Sequence, residues 1–409
     1  MLMGGKGLQH SIVPAEAESI VYQRRSYEVF RSTSRFSALD GFRAISVVAV
    51  IWHHVAGYRG SGIGARGDLG VNFFFVISGF LITTLLLRER ESTGRISLRN
   101  FVVRRTLRIF PLYYVVLLAY IALVMLTTRA TPAGRSFLDN LPAFLTYTSN
   151  WFVELDSNQS TTFYFAWSLA TEEQFYLFWP PLLAAVLAVI PSRPLAPILA
   201  VTGLLAIDLV ATHGDHGGGF AWTVLASLAT PILLGAGAAI LAHHPPSYRI
   251  LARLFAHPAA NVVALTVTVA LLQAGAAGDV IAVCFVIVVL SSCINENTLL
   301  HPVLKWRPLA FIGTISYGIY LMHMLAANVV RKILGRDLGL DVFALTVPVV
   351  VGAAALSNHY LEQPIRRLKG RFEVATPAGG GTRAVANSHS GVPRIVPLAP
   401  ARKDLVMPP

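Results

Sequence analysis

The chain has 409 residues, of which 54% are hydrophobic and only 13% charged, and its mean hydropathy is +0.59. That balance is too apolar for an ordinary soluble domain of this size and predicts a polytopic membrane protein. The net charge of +12 would suit nucleic acid, but no basic patch sits in a soluble stretch, so the charge is assigned to membrane orientation and nucleic acid is not an expected partner.

Residues 1–38 are polar and basic, with no apolar stretch long enough for a cleavable signal peptide, so the first span is expected to act as the insertion signal. Apolar runs predict ten spans, at about 40–57, 69–87, 108–127, 168–190, 195–211, 220–242, 259–277, 280–294, 309–328 and 342–360. With the N-terminus in the cytoplasm, 26 of the 33 Lys and Arg residues fall on the cytoplasmic side and 7 on the other. This asymmetry predicts an all-α bundle of about ten transmembrane helices in the cell membrane, with both termini cytoplasmic. Residues 1–35 and 373–409 are rich in small, polar and basic residues and are expected to be disordered cytoplasmic tails around a membrane domain at 36–372. No soluble catalytic domain is expected, so any chemistry must be done by the bundle. Cys284 and Cys293, nine residues apart in one apolar run, fall on nearly opposite helix faces and cannot pair with each other.

The first span, LDGFRAISVVAVIWHH from Leu39 to His54, carries an arginine near its start and two histidines at its end. Eleven residues of α-helix turn through about 1100°, which puts Arg43 and His54 within about 20° of each other and about 16.5 Å apart along the axis. His53 points about 100° away. Ionisable side chains inside a span are expensive and mark function by default; the bland alternative is a snorkelling arginine and an interfacial histidine.

In the second run, Ser78-Gly79 interrupts GVNFFFVISGFLITTLLL, and Gly79 is read as a close-packing position. Ser97 is a plausible N-cap for the next helix, in which Arg104, Arg105 and Arg108 cluster at helical spacing. They anchor the chain to anionic lipid, or they form a phosphate clamp of guanidinium forks. The long segment 128–166 holds Trp151, Phe152, Phe163, Tyr164 and Phe165 with Asp139, Glu154 and Asp156, a mixture suited to a sugar, although an interfacial aromatic belt accounts better for most of the rings. Trp167, Tyr164 and Trp151 are the candidate acceptor-binding residues. The fourth span opens WSLATEEQFYLFWPP, with adjacent Glu172 and Glu173 at its entrance and a kink expected at Pro180-Pro181. One glutamate could orient a histidine while the other faces water, and spacing does not choose between them.

Near the C-terminus, Ser316, Tyr317, Tyr320 and His323 are read as packing hydrogen-bonders, and Glu362 with Arg366 as a structural i, i+4 pair. The loop HGDHGGG from His213 to Gly219 lacks a fourth ligand, and no metal site is expected.

Taken together, LDGFRAISVVAVIWHH, GVNFFFVISGFLIT, RTLRIFPLY, WSLATEEQFYLFWP, ISYGIYLMH and YLEQP, in this order over about Leu39 to Arg367, resemble the membrane-bound acyltransferase family 3, O-acyltransferases of sugars, glycans and some antibiotics. The resemblance implies a ten-helix bundle with no bound cofactor that uses cytoplasmic acyl-CoA, usually acetyl-CoA, as co-substrate. It also implies a critical histidine at His54, with Arg43, Arg105 and Arg108 at the donor site.

The resulting expectation is an integral-membrane O-acyltransferase that moves an acetyl group from acyl-CoA to a hydroxyl of a carbohydrate-containing acceptor. His54 would serve as general base or transient acyl carrier, and Glu172 or Glu173 would orient it. A cell-surface polysaccharide, peptidoglycan-linked sugar, glycolipid or glycosylated small molecule all fit as acceptor. Lack of an appended hydrolase-like domain speaks weakly against relay of the acyl group to a soluble module. The alternative is a glycan or lipid-linked sugar transporter without acyl transfer, for which no convincing inverted repeat is visible.

Overall fold

A computed structural model describes residues 26–33, 35–57, 60–153, 161–214 and 219–368, all within the unit Met1–Val374. Among the described residues there are helices and turns and no strand. Eight of the ten predicted runs each fall on one helical stretch, while 220–242 and 309–328 are each broken into two helices, of which the longer takes the label. The labelled helices are α1 Ser37–Val55, α2 Leu69–Thr93, α3 Leu98–Leu123, α4 Trp167–Val189, α5 Ala196–His213, α6 Thr230–His243, α7 Ala260–Gln273, α8 Gly278–Ile294, α9 Ser316–Leu334 and α10 Leu340–Ser357.

Four stretches are long and apolar enough to cross a membrane: Leu69–Thr93, Leu98–Thr128, Ala196–His213 and Leu340–Arg367. Three bent pairs raise that number to seven when each counts as one span. Helix Phe220–Leu228 meets α6 at 40°, and Arg307–Thr314 meets α9 at 77°. Helices α7 and α8, with 14 and 17 residues, rise about 21 and 26 Å at 1.5 Å per residue, short of a hydrocarbon core of about 30 Å. The chain is therefore a helical, multi-pass bundle with four to seven helices of spanning character among the described residues.

The expected tail 1–35 is too long by several residues. Ser26–Ser32 is helical, Phe30 is buried, and the Tyr27 hydroxyl donates to the His243 carbonyl at 2.6 Å, because the aromatic side chains of this polar stretch find a place against α6. The rest of both tails lies outside the described residues.

Small residues determine the tightest packing. Where α2 crosses α6, a Cβ on Gly79 would come within 2.9 Å of the Ile232 carbonyl carbon, and one on Gly235 within 3.0 Å of the Phe80 amide nitrogen. Gly79 is the close-approach position its sequence context predicts, since helices in lipid associate by packing rather than by a hydrophobic drive. Ser97 caps α3 by accepting from the Asn100 amide. Helix α4 continues through Pro180 and Pro181. The Glu362–Arg366 pair does not form an ion pair; Arg366 instead donates to Asn358, and Glu362 Oε1 has no hydrogen-bond partner among the described residues.

The described parts of the segment, 128–153 and 161–166, form short helices over a buried aromatic cluster, in which Phe163 packs on Tyr113, Tyr120, Phe144 and Phe165. Its rings mostly fill the bundle rather than forming a belt. Glu154 and Asp156 lie outside the described residues.

Candidate active site

Arg43 and His54 lie on one side of α1, as helical phase requires, but they serve different surroundings. Arg43, on the second turn, lines a cavity of about 80 Å³ with Arg105 and Arg108 from α3 and Glu172 from α4. The three neighbouring arginines of α3 part company here. Arg104 turns to a buried ion pair with Glu89 at 2.8 Å, whereas Arg105 and Arg108 have no carboxylate within ion-pair distance among the described residues. Arg105 lies instead over the Tyr176 and Phe101 rings, at 5.3 and 5.6 Å from their centroids. Arg43 is only loosely paired, 4.0 Å from Asp40, which Arg35 already holds at 2.6 Å. Three guanidiniums against one carboxylate leave the cavity with a surplus of positive charge.

The adjacent glutamates separate as well. Glu172 faces the cavity and accepts hydrogen bonds from Ser78 and Tyr176. Glu173, one residue or about 100° further round the helix, faces away from that lining and has no hydrogen-bond partner among the described residues. Neither glutamate touches His54, so the expected orienting carboxylate is not what the structure provides.

What His54 meets is His323 of α9. His54 Nδ1 lies 2.9 Å from the Val50 carbonyl oxygen and 3.2 Å from His323 Nε2, while His323 Nδ1 faces the Tyr320 carbonyl. Carbonyl oxygens only accept, so in the neutral rings each Nδ1 carries the proton. His323 Nε2 is then an acceptor for the His54 N–H, and His54 Nε2 is left with an open lone pair and no partner among the described residues. His53 is exposed and sits against Gly67.

The end of α1 is fixed from the same side. Arg331 donates to the His54 carbonyl at 3.0 Å, the Asp337 carbonyl at 2.7 Å and Asn328 Oδ1 at 3.1 Å, and the Gly339 amide donates to the Val55 carbonyl at 2.9 Å. These satisfy carbonyls that a helix terminus leaves unpaired.

Tyr320 joins the two parts. Its hydroxyl shares a 2.6 Å hydrogen bond with Ser168, both residues line the arginine cavity, and its ring centroid is 5.6 Å from that of His323. Phe163 holds a left-handed φ of 70°, costly for a bulky residue, and the turn it makes brings Tyr164 to 5.9 Å from His54 and Phe165 to 4.9 Å from His323. Of the other aromatic candidates, Trp167 lines a different cavity, edge-on to Phe75 at 6.1 Å, and Trp151 donates to Ser227 at 2.8 Å. Sequence reasoning missed His323 as a partner of His54, although Ser316, Tyr320 and His323 at spacings of four and three share a face. Part of the His213–Gly219 loop, residues 215–218, lies outside the described residues.

The cationic cavity and the His54–His323 pair are thus joined through Tyr320, which lines the one and packs its ring against the other. The chain belongs to the acyltransferase 3 family, whose acyltransferase domain matches residues 36–358. It is 30% identical over 355 residues to the "Putative peptidoglycan O-acetyltransferase YrhL" of Bacillus subtilis, covering 80% of this chain and 54% of that protein. It is 28% identical over 380 residues to the peptidoglycan O-acetyltransferase OatA of Listeria monocytogenes, covering 82% and 57%. A "Putative O-acetyltransferase" of Staphylococcus aureus is 27% identical over 368 residues, covering 84% and 59%. The chain thus spans a little over half the length of these relatives. No solved structure matches it. Neither the family nor these relatives support the transport alternative.

Proposed function

We propose that this protein is an integral-membrane O-acetyltransferase that moves an acetyl group from acetyl-CoA to a hydroxyl of a glycan, with a peptidoglycan-type sugar the favoured acceptor because two relatives carry that name. The observation that carries the reading is the surplus of guanidinium around the Arg43, Arg105 and Arg108 cavity, one turn of α9 from a histidine with an open Nε2. The CoA phosphates are bound by Arg105 and Arg108, since guanidinium forks pair with phosphate oxygens. The CoA arm extends past Ser78 and Glu172 toward Tyr320, bringing the thioester to His54. The donor enters from the cytoplasm, with both termini on that side of a ten-span bundle, as the basic residues are distributed.

His54 Nε2 takes the proton of the acceptor hydroxyl as its oxygen attacks the thioester carbonyl carbon. The C–S bond breaks as the ester forms, and the CoA sulfur leaves with the proton that His54 returns. His323 Nε2 accepts from His54 Nδ1–H throughout, which fixes the tautomer and supports the transient imidazolium. Glu172 belongs to the donor cavity in this mechanism and Glu173 has no step in it.

The test compares glycans by mass spectrometry from cells with the wild-type protein and with His54→Ala, alongside binding of labelled acetyl-CoA by the purified proteins. Acetyl esters present only with the wild type, with donor binding preserved in the variant, are expected. Retained esters in the His54→Ala cells would sink the mechanism.

A further inference from the structure

A second cavity, of about 610 Å³, opens at the end of the bundle marked by the last turns of α1. It is lined by the first turns of α2, α4 and α8 and by the end of α5. Its chemistry is the reverse of the arginine cavity. No Lys or Arg is among the lining residues; the walls carry Asp208, Asp279, Asn72 and Asn150 with the rings of Trp167 and Trp222. Asp208 is 4% exposed, and its Oδ2 accepts from the Thr230 amide at 3.0 Å and from the Thr230 hydroxyl at 2.5 Å. Its Oδ1 is buried with no hydrogen-bond partner among the described residues. A buried carboxyl oxygen left unmatched is costly, and a donor delivered by a ligand would remove that cost.

Carboxyl and amide oxygens accept from hydroxyl groups, while tryptophan rings take the C–H faces of a sugar, so this wall suits a polyhydroxylated ring and rejects an anion such as CoA. Phe75 lines both cavities and meets Trp167 edge-on, so the two chambers share a wall one side chain thick. We propose that this second cavity binds the acceptor as an uncharged, hydroxyl-rich glycan, with Asp208 Oδ1 accepting from a sugar hydroxyl. The proposal rests on the acetyltransferase reading above for the use made of the bound sugar, and its test measures binding without transfer.

The full-length protein in nanodiscs is titrated with chitotetraose, a neutral N-acetylglucosamine tetrasaccharide, with a hyaluronan hexasaccharide, which alternates that sugar with an acid sugar, and separately with labelled acetyl-CoA. Asp208→Asn, Trp222→Ala and Asp279→Asn are each expected to weaken chitotetraose binding at least tenfold and to leave acetyl-CoA binding within twofold of wild type. The hyaluronan hexasaccharide is expected to bind at least tenfold more weakly than chitotetraose. No chitotetraose binding by the wild type, equal binding by the variants, parallel loss of donor binding, or equal binding of the acidic oligosaccharide would each overturn the proposal. Variant-sensitive sugar binding by a wild-type protein that transfers no acetyl group would uphold the cavity and defeat the acetyltransferase reading instead.

Discussion

The two cavities meet at Phe75 and differ in nearly everything else. One gathers Arg43, Arg105 and Arg108 around a single glutamate held by Ser78 and Tyr176; the other has two aspartates, amides, tryptophans and His213, with no Lys or Arg in its lining. The difference is largely a matter of helix phase. On α4, Ser168 and Glu172 face the first chamber, while Trp167 and Thr171 face the second. A rotation of one residue, about 100°, is enough to pass from a lining rich in arginine to one of aspartates and tryptophans.

The comparison breaks most severely if the positive charge is removed. Replacing Arg105 and Arg108 together by alanine is expected to weaken acetyl-CoA binding by about 10²–10⁴-fold, two charged hydrogen-bonding groups at roughly 1.5–3 kcal/mol each. Equilibrium binding of labelled donor measures it, and Arg104→Ala, which breaks the Glu89 pair outside the cavity lining, is the control that should leave donor affinity within about threefold. Next in size, His323→Phe should lower turnover about 10–100-fold at unchanged donor affinity, because the ring remains but the imidazole that supports a charged His54 is gone and only the Val50 carbonyl still accepts from His54 Nδ1–H. His323→Gln, which keeps an acceptor, should recover part of that loss.

A thinner wall should blur the two chambers. Phe75→Ala is expected to raise acceptor-independent release of CoA by a few-fold, read as free thiol from acetyl-CoA without glycan, as water reaches the thioester from the second cavity. The smallest effect is expected at His53→Ala, within about threefold of wild-type transfer, since that ring is exposed and faces Gly67.

Much of this arrangement is legible from periodicity. All ten apolar runs are helical, two of them broken by a bend, and the phase of Arg43, His53 and His54 on α1 came out as an ideal helix requires, since position on one helix is a local property. The shared lining of Arg43 with Arg105 and Arg108 was expected from family resemblance, not spacing. What spacing could not reach were contacts between distant segments. His323 is 269 residues from His54, and nothing near either residue names the other. The choice between Glu172 and Glu173 likewise depends on Ser78, on another helix. The bends before α6 and α9 and the short α7 and α8 follow from packing and helix length, which apolar runs with soft boundaries do not report.

The Arg331 tie has a consequence for how the molecule is made. His54 closes α1, yet its ring partner is synthesised 269 residues later, and the side chain that ties its carbonyl 277 residues later. A nascent chain that has inserted α1 through α8 holds its arginines and glutamates but has no fixed histidine. Assembly of the centre therefore waits on the hairpin of α9 and α10, so a chain released early would be inserted and inert rather than active and uncontrolled.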